Sequence, residues 1–299
     1  MRDPQPHPTY APHEILVAPA RAYPELWRLL LGFAIITVVV LALNLVLLIA
    51  VTSFGSAELV SGFEDGSSAL ALLVILSSFA FATLGVGLAA RQVQHRKLIS
   101  VVGPPILTAR QFWRVLRALV VLGALLFVLP PYDMGPPLEP NLPVFRWLLL
   151  LPLALVAVLI QVSAEEILFR GFLQQSLAAR FRAPWIWMGV PSLIFAAGHY
   201  APLAAGDNAI LIAGWAFVFG LLSADITARA GTLGPAIAMH FANNVTALLI
   251  VSLPDGLGGL ALYHLPFETS DTGILRQWLV VDFAVMIVSW LVARLALRR

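Results

Sequence analysis

The stretch Ala164-Glu165-Glu166-Ile167-Leu168-Phe169-Arg170-Gly171 directly follows the apolar run from Trp147 to Val162. Ionisable side chains in membrane segments are rare, usually face a bundle interior or a water-filled cavity, and often mark functional sites. On a helix, Glu166 and Arg170 lie four residues apart on one face and can form an ion pair. Glu165 points about 100° away from Glu166 and is free for another role. We therefore expect the rest of the chain to bring further polar groups to Glu165.

The composition indicates an all-α polytopic membrane protein. Of the 299 residues, 60% are hydrophobic and only 11% are charged, whereas soluble domains average roughly 45–50% apolar and about 25% charged residues. The absence of cysteine excludes disulfides, thiolate catalysis and cysteine-ligated metal sites. No basic tract is interleaved with aromatic residues, so we expect no nucleic-acid partner.

Eight apolar runs predict a bundle of about eight transmembrane helices. Apart from Arg146 and Arg276, the Lys and Arg residues fall in the N-terminal tail, after the second, fourth and sixth runs, and at the C-terminus. By the positive-inside rule, this alternation predicts that both termini are cytoplasmic. The predicted spans lie near 29–52, 69–90, 115–130, 146–169, 185–200, 209–228, 233–253 and 277–297.

The predicted helices divide the chain into four segments. Residues 1–28 are proline-rich and polar, which favours a disordered cytoplasmic tail. Residues 29–145 would hold the first three spans and a basic cytoplasmic loop. Residues 146–254 would form the catalytic core with spans four to seven, and residues 255–299 an external loop and the eighth helix.

Two later motifs place polar side chains inside apolar helices. The first is Phe195-Ala196-Ala197-Gly198-His199, and the second runs from His240 to Asn244, which lie four residues apart on one helix face. Glu165 and His199 are each 17 residues from position 182, where a turn would form a helical hairpin. If span four continues as a helix to about Arg180, the two side chains become level across this hairpin.

These residue types suit the activation of a water molecule. A carboxylate in a low-dielectric environment is a usable general base, and a histidine can share and orient the same water. A histidine and an asparagine amide on one helix face can donate to a developing oxyanion. Other interpretations remain open: the glutamates could be solvated at a helix end, His199 could lie at the far interface, and His240 and Asn244 could hydrogen-bond between helices.

The three motifs, in this order on successive helices, resemble those of the CAAX-protease and bacteriocin-processing (CPBP, or Abi) family. This family of intramembrane endopeptidases includes the type 2 CAAX prenyl protease. The resemblance covers about 160–250, whereas residues 1–145 resemble the family only in topology. It implies that Glu165 and His199 activate water, that His240 and Asn244 form the oxyanion hole, and that Glu166 and Arg170 support the site.

The resemblance also sets expectations for cofactor, substrate and location. A metal-free glutamate mechanism needs no cofactor. The alternative is a metalloenzyme with zinc on Glu165, His199 and His240, since zinc accepts two histidines and a carboxylate. The implied substrate is a membrane-embedded or lipidated peptide or protein within the lipid bilayer, and a bacterial cytoplasmic membrane is the expected location.

Two functions from other classes are alternatives to the peptidase. Buried Glu and His side chains also form proton relays, so an ion- or proton-coupled transporter is one of them. However, the sequence lacks the paired repeats that many transporters contain. A non-catalytic membrane scaffold or immunity protein is the other. The motifs of other intramembrane proteases, His-Glu-x-x-His, Gly-x-Ser-Gly and Gly-x-Gly-Asp, are absent.

Overall fold

The computed structural model describes residues 8–129 and 137–298, which are predominantly helical. Eight apolar helices, labelled α1 to α8, follow the order of the predicted spans. They are α1 Leu26–Phe54, α2 Ala69–Val93, α3 Pro105–Val128, α4 Val144–Arg180, α5 Pro184–Gly198, α6 Ala209–Ala230, α7 Gly234–Val245 and α8 Thr272–Leu297. Shorter helices are Pro8–His13, Glu14–Val17, Ala18–Ala20, Ala57–Ser61, Leu98–Val102, Pro202–Ala205 and Gly206–Asn208.

The prediction of an all-α polytopic membrane protein is confirmed. Within the described residues, 6 helices are long and apolar enough to cross a membrane by length and composition. Helix α5 is a shorter apolar helix of 15 residues, and α7 continues only as the π-helix Thr246–Ile250. Position 130, the last of the third predicted span, lies outside the described residues. The cytoplasmic placement of both termini stays a prediction.

The prediction of a disordered tail over 1–28 is wrong for the part that the structure describes. From Pro8 to Ala20 the chain forms three short helices, and His13, Leu16 and Val17 are buried among the helices of the bundle. The proline content of this segment favours disorder, but the burial of Leu16 and Val17 stabilises an ordered segment. Residues 1–7 of the predicted tail lie outside the described residues.

Helix α4 does continue to Arg180, as the hairpin prediction requires, but its geometry changes directly after Glu166. The α-helical part is Val144–Glu166, a π-helix covers Ile167–Leu173, and α-helix resumes over Gln174–Arg180. π-helical turns inside α-helices occur frequently at functional sites. At Gly171 in this turn, a Cβ would lie 2.5 Å from Val101, so only glycine permits this close approach.

Packing between helices and one small sheet hold the bundle together. α1 packs along α2, α5 along α6, and α7 against α3 and α4. Three two-residue strands, β1 Glu139–Pro140, β2 Val251–Ser252 and β3 Tyr263–His264, form a small sheet in which β3 is central. It pairs antiparallel with β1 and parallel with β2. This sheet ties the loop before α4 to the segment that follows α7.

Candidate active site

Helices α1, α2, α4 and α5 surround a cavity of about 610 Å³. Glu165 and His199 both contribute to its wall, on α4 and at the end of α5. The structure thus brings together the two residues that the hairpin spacing places at one level. No hydrogen bond joins these two described side chains. The remaining wall is mainly apolar, and Phe33, Val40 and Asn44 mark the extent of its α1 face.

The His199 ring is oriented by the last turn of α5. Its Nδ1 lies 2.9 Å from the Phe195 carbonyl oxygen, and the two rings lie 4.4 Å apart between centroids. A carbonyl oxygen only accepts hydrogen bonds, so Nδ1 carries the proton. Nε2 of the neutral ring is then an acceptor, as sharing a water with a carboxylate requires.

Glu165 is anchored by one carboxylate oxygen. Its Oε1 accepts a hydrogen bond from Gln161 Nε2 at 2.8 Å. Its Oε2 accepts none from the protein and lies 3.5 Å from His240 Nε2. The side chain remains 16% exposed. Glu165 is therefore held by one carboxylate oxygen, while the other is buried beside His240 without a hydrogen-bond donor.

Glu166 lies in a very different environment, with its side chain 0% exposed. Its Oε1 accepts from Arg170 Nη1 at 3.1 Å and contacts His240 Nδ1 at 2.9 Å. Arg170 is equally buried and stacks over the Phe195 ring, with Cζ 4.8 Å from the ring centroid. The four-residue spacing predicts the Glu166–Arg170 pair, whereas the contact between Glu166 and His240 requires the tertiary fold.

His240 connects the two glutamates. It is 4% exposed and packs against the Phe219 ring at a centroid distance of 4.9 Å. Because the Glu166 carboxylate only accepts, the Nδ1 that faces it carries a proton. The other ring nitrogen faces Glu165. The imidazole is thus flanked by two carboxylates.

Asn244 is linked to Glu165 through Gln161, a residue that the sequence motifs do not include. Asn244 Nδ2 donates to Gln161 Oε1 at 2.8 Å, and Asn243 Nδ2 donates to Asn244 Oδ1 at 3.2 Å. Gln161 is the one polar amide within the apolar run of α4, four residues before Glu165. That spacing on a single helix face is the signal by which the sequence could identify it.

The alternative zinc site is a separate question of ligand geometry. Throughout residues 8–129 and 137–298, no three or more His, Asp or Glu side chains form a group that could hold a metal ion. His240 uses Nδ1 for Glu166, and His199 uses Nδ1 for the Phe195 carbonyl oxygen. Both contacts leave Nε2 as the nitrogen that could ligate a metal, as is usual for metal-binding histidines, so the zinc alternative stays a prediction.

Comparisons with known proteins confirm the resemblance that the motifs indicate. Residues 146–246 match the family described as type II CAAX prenyl endopeptidase Rce1-like. The chain is similar to the uncharacterized protein YyaK of Bacillus subtilis (strain 168), with 27% identity over 191 residues. This match spans 60% of the chain and 61% of the length of YyaK. No solved structure matches the chain.

Proposed function

We propose that this chain, which carries the Rce1-like family domain over residues 146–246 of an integral membrane protein, is an intramembrane endopeptidase. It would hydrolyse a peptide bond of a membrane-associated or lipidated polypeptide. The observation that carries this proposal is the shared cavity wall of Glu165 and His199. A general base and a water-orienting imidazole meet there beside a space large enough for a substrate segment.

In the proposed reaction, Glu165 and His199 activate a water molecule. The water oxygen attacks the carbonyl carbon of the scissile bond, and its proton passes to the free carboxylate oxygen of Glu165. His199 Nε2 accepts a hydrogen bond from the other O–H of the water and thereby orients the molecule. As the C–N bond breaks, the proton on Glu165 passes to the departing amine. This step regenerates the carboxylate, and the reaction requires no covalent bond between the substrate and the enzyme.

His240 and Asn244 would stabilise the oxyanion of the tetrahedral intermediate. Since Nδ1 of His240 already donates to Glu166, donation from Nε2 requires a ring that carries both protons. Asn244 commits one N–H to Gln161, and its second N–H remains for the oxyanion. Such donors typically contribute about 10²–10³-fold to the rate.

The wall of the cavity supports an internal peptide bond as the substrate. It contains no Lys or Arg side chain among the described residues, so a free terminal carboxylate would lie unpaired beside Glu165. The α1 face of the wall runs from Phe33 to Asn44, which corresponds to about 16 Å along a helix. An apolar polypeptide segment or a lipid chain attached to the substrate fits this surface. The Bacillus relative favours the bacterial cytoplasmic membrane as the location.

The test is hydrolysis by the purified full-length protein in proteoliposomes. Two internally quenched probes are compared, a prenylated CAAX peptide and an unlipidated apolar transmembrane peptide. We expect Glu165→Gln to lose at least about 10²-fold in kcat, because it keeps the shape and removes the base. Glu64→Gln, at an exposed glutamate in the loop before α2, is the matched control and should keep full activity.

Full activity of Glu165→Gln would overturn the glutamate mechanism. Cleavage of neither probe by the folded wild-type protein, combined with probe-independent ion flux across the vesicle membrane, would favour the transporter. Treatment with a strong zinc chelator decides the metal alternative. Loss of activity that added zinc restores would support the metalloenzyme, whereas unchanged activity would support the metal-free reaction.

A further inference from the structure

A line of three side-chain amides leads from α7 to the carboxylate of Glu165. Asn243 donates to Asn244, Asn244 donates to Gln161, and Gln161 donates to Glu165. The last two hydrogen bonds are each 2.8 Å long. Gln161 is 6% exposed, so both ends of its amide have their partners inside the protein. We call the three amides of Gln161, Asn243 and Asn244 the amide relay.

The chemistry of the carboxylate fixes the direction of the amide relay. An ionised carboxylate only accepts hydrogen bonds, so the Gln161 atom beside Glu165 must be the NH₂ group. The Gln161 oxygen then faces Asn244 and must receive an N–H. The same requirement turns the Asn244 oxygen toward Asn243. Ionised Glu165 therefore determines which group each of the three amides presents to its neighbour.

We infer that Gln161 is a positioning residue of the proposed peptidase, which couples ionised Glu165 to the orientation of the Asn244 amide. This inference rests on the proposed function. Gln161 holds Oε1 of Glu165, which leaves Oε2 for the water. It also holds one N–H of Asn244, which aims the second N–H at the oxyanion. One side chain thereby fixes the spacing between the general base and one oxyanion donor.

A purely structural role is the competing explanation, because polar side chains between membrane helices commonly form hydrogen bonds for packing. The two roles differ in what the reaction detects. A packing bond contributes to stability alone, whereas a donor to the general base also stabilises its ionised form. Loss of that donor must therefore shift the pH dependence of kcat, which a packing bond leaves unchanged.

The other charged groups around Glu165 set the background of this pH dependence. His240 on α7 faces its Oε2 at 3.5 Å. Glu166 and Arg170 follow on α4, and His199 on α5 shares the cavity wall. All four are retained when Gln161 is replaced, so a difference in the acid limb of the profile reports the loss of the Gln161 donor.

The experiment compares Gln161→Leu, Gln161→Glu and the wild type in the proteoliposome assay. For Gln161→Leu we expect kcat to fall about 10- to 100-fold, as for a lost hydrogen bond to a charged group, with KM within about twofold. The acid limb of the pH–kcat profile should move to higher pH, because the ionised carboxylate is stabilised less. Gln161→Glu keeps the size of the side chain and adds a negative charge, so its acid limb should move further.

Gln94→Leu is the matched control. Gln94 is also a buried glutamine, and its amide donates to Ser176 at 2.7 Å, outside the proposed site. Its replacement should lower thermal stability to a similar extent and leave the pH profile of kcat unchanged. If Gln161→Leu is too unstable to assay, the isosteric Gln161→Glu carries the same comparison.

A double-mutant cycle tests the coupling to Asn244. If Gln161 acts partly through this residue, Asn244→Ala should cost less activity in the Gln161→Leu background than in the wild type. Unchanged kcat and an unchanged acid limb in folded Gln161→Leu would overturn the inference. Activity retained by Glu165→Gln would instead overturn the proposed function itself, so the two failures are distinguishable.

Discussion

Two faces of helix α4 carry adjacent glutamates in contrasting surroundings. We call the side with Glu165, which lines the cavity, and its hydrogen-bonded neighbour Gln161 the cavity face. We call the side with Glu166, Arg170 and Gln174 the packed face. On the cavity face, Glu165 keeps 16% of its side chain exposed and lines the cavity. On the packed face, Glu166, Arg170 and Gln174 are almost completely buried. One peptide bond separates a carboxylate at the cavity wall from one that is fully enclosed.

This difference shows how a membrane protein can keep charges within an apolar bundle. A buried ion pair is offset only when its geometry is good and its remaining polar atoms have partners. Glu166 meets this only in part: its Oε1 contacts both Arg170 and His240, while Glu166 Oε2 and Arg170 Nη2 are buried without a hydrogen-bond partner. Glu165 differs in that 16% of its side chain stays exposed and it lines the cavity, and we propose it as the reacting carboxylate. The packed face therefore supports the protein, and the cavity face is proposed to perform the reaction.

The largest effect is expected at His240, the residue that contacts both faces. An Asn amide nitrogen can replace Nδ1 and a Gln amide nitrogen can replace Nε2. His240→Asn should therefore keep the contact with Glu166 and the thermal stability, but lose about 10²–10³-fold in kcat with the oxyanion donor. His240→Gln should keep more activity and lose stability. Kinetics and thermal unfolding of both variants would provide the test.

Equal losses of stability in the two variants would contradict this division of roles. It would mean that the His240 ring acts as a single packing unit between Phe219 and the glutamates. A difference in kcat together with the expected difference in stability would sharpen the comparison, because it would assign Nε2 to the cavity face and Nδ1 to the packed face.

The second effect is a loss of stability on the packed face. Removing one member of a fully buried ion pair typically costs about 3–5 kcal/mol, since the other charge remains buried and unpaired. We expect Arg170→Met to lower the free energy of unfolding by roughly this amount. Glu166→Gln combined with Arg170→Met should cost less than the sum of the two single variants. Unfolding of the detergent-solubilised protein measures these differences.

The matched control is the ion pair between Arg146 and Glu58, which joins the same residue types at 3.3 Å but leaves both side chains 54% exposed. Glu58→Gln should cost at most about 1 kcal/mol. If Arg170→Met is as mild as this exposed control, the packed face does not depend on its ion pair.

The sequence predicts the local parts of this comparison and misses the tertiary parts. The four-residue spacing correctly pairs Glu166 with Arg170, and the hairpin arithmetic correctly brings Glu165 and His199 to one cavity. The contact between Glu166 and His240 spans 74 positions, and no local pattern indicates it. The buried N-terminal segment is missed for the same reason, because its partners lie far away along the chain.

The smallest effect concerns the end of the packed face, where Gln174 Nε2 lies 3.4 Å from His13 Nε2. Burial lowers the pKa of His13 from its ordinary value of 6.5 to about 4, with a smaller opposing effect of Glu14 and a further lowering by Arg21. Above pH 6.5, His13 is neutral in both the folded and the unfolded chain, so it adds no pH dependence there. Between pH 6.5 and 4, only the unfolded chain gains a proton at this site. The free energy of unfolding should therefore fall as the pH falls, by up to about 3 kcal/mol.

His13→Leu removes this titration and keeps an apolar side chain of similar size beside Trp187. Thermal unfolding at several pH values between 7.5 and 4 should show a smaller loss of stability on acidification than in the wild type. His95→Asn is the control, because His95 is exposed and adopts a positive φ that asparagine tolerates. If His13→Leu kept the acid dependence of the wild type, the N-terminal segment would not bury a neutral histidine. The contact of His13 with Gln174 would then not extend the packed face.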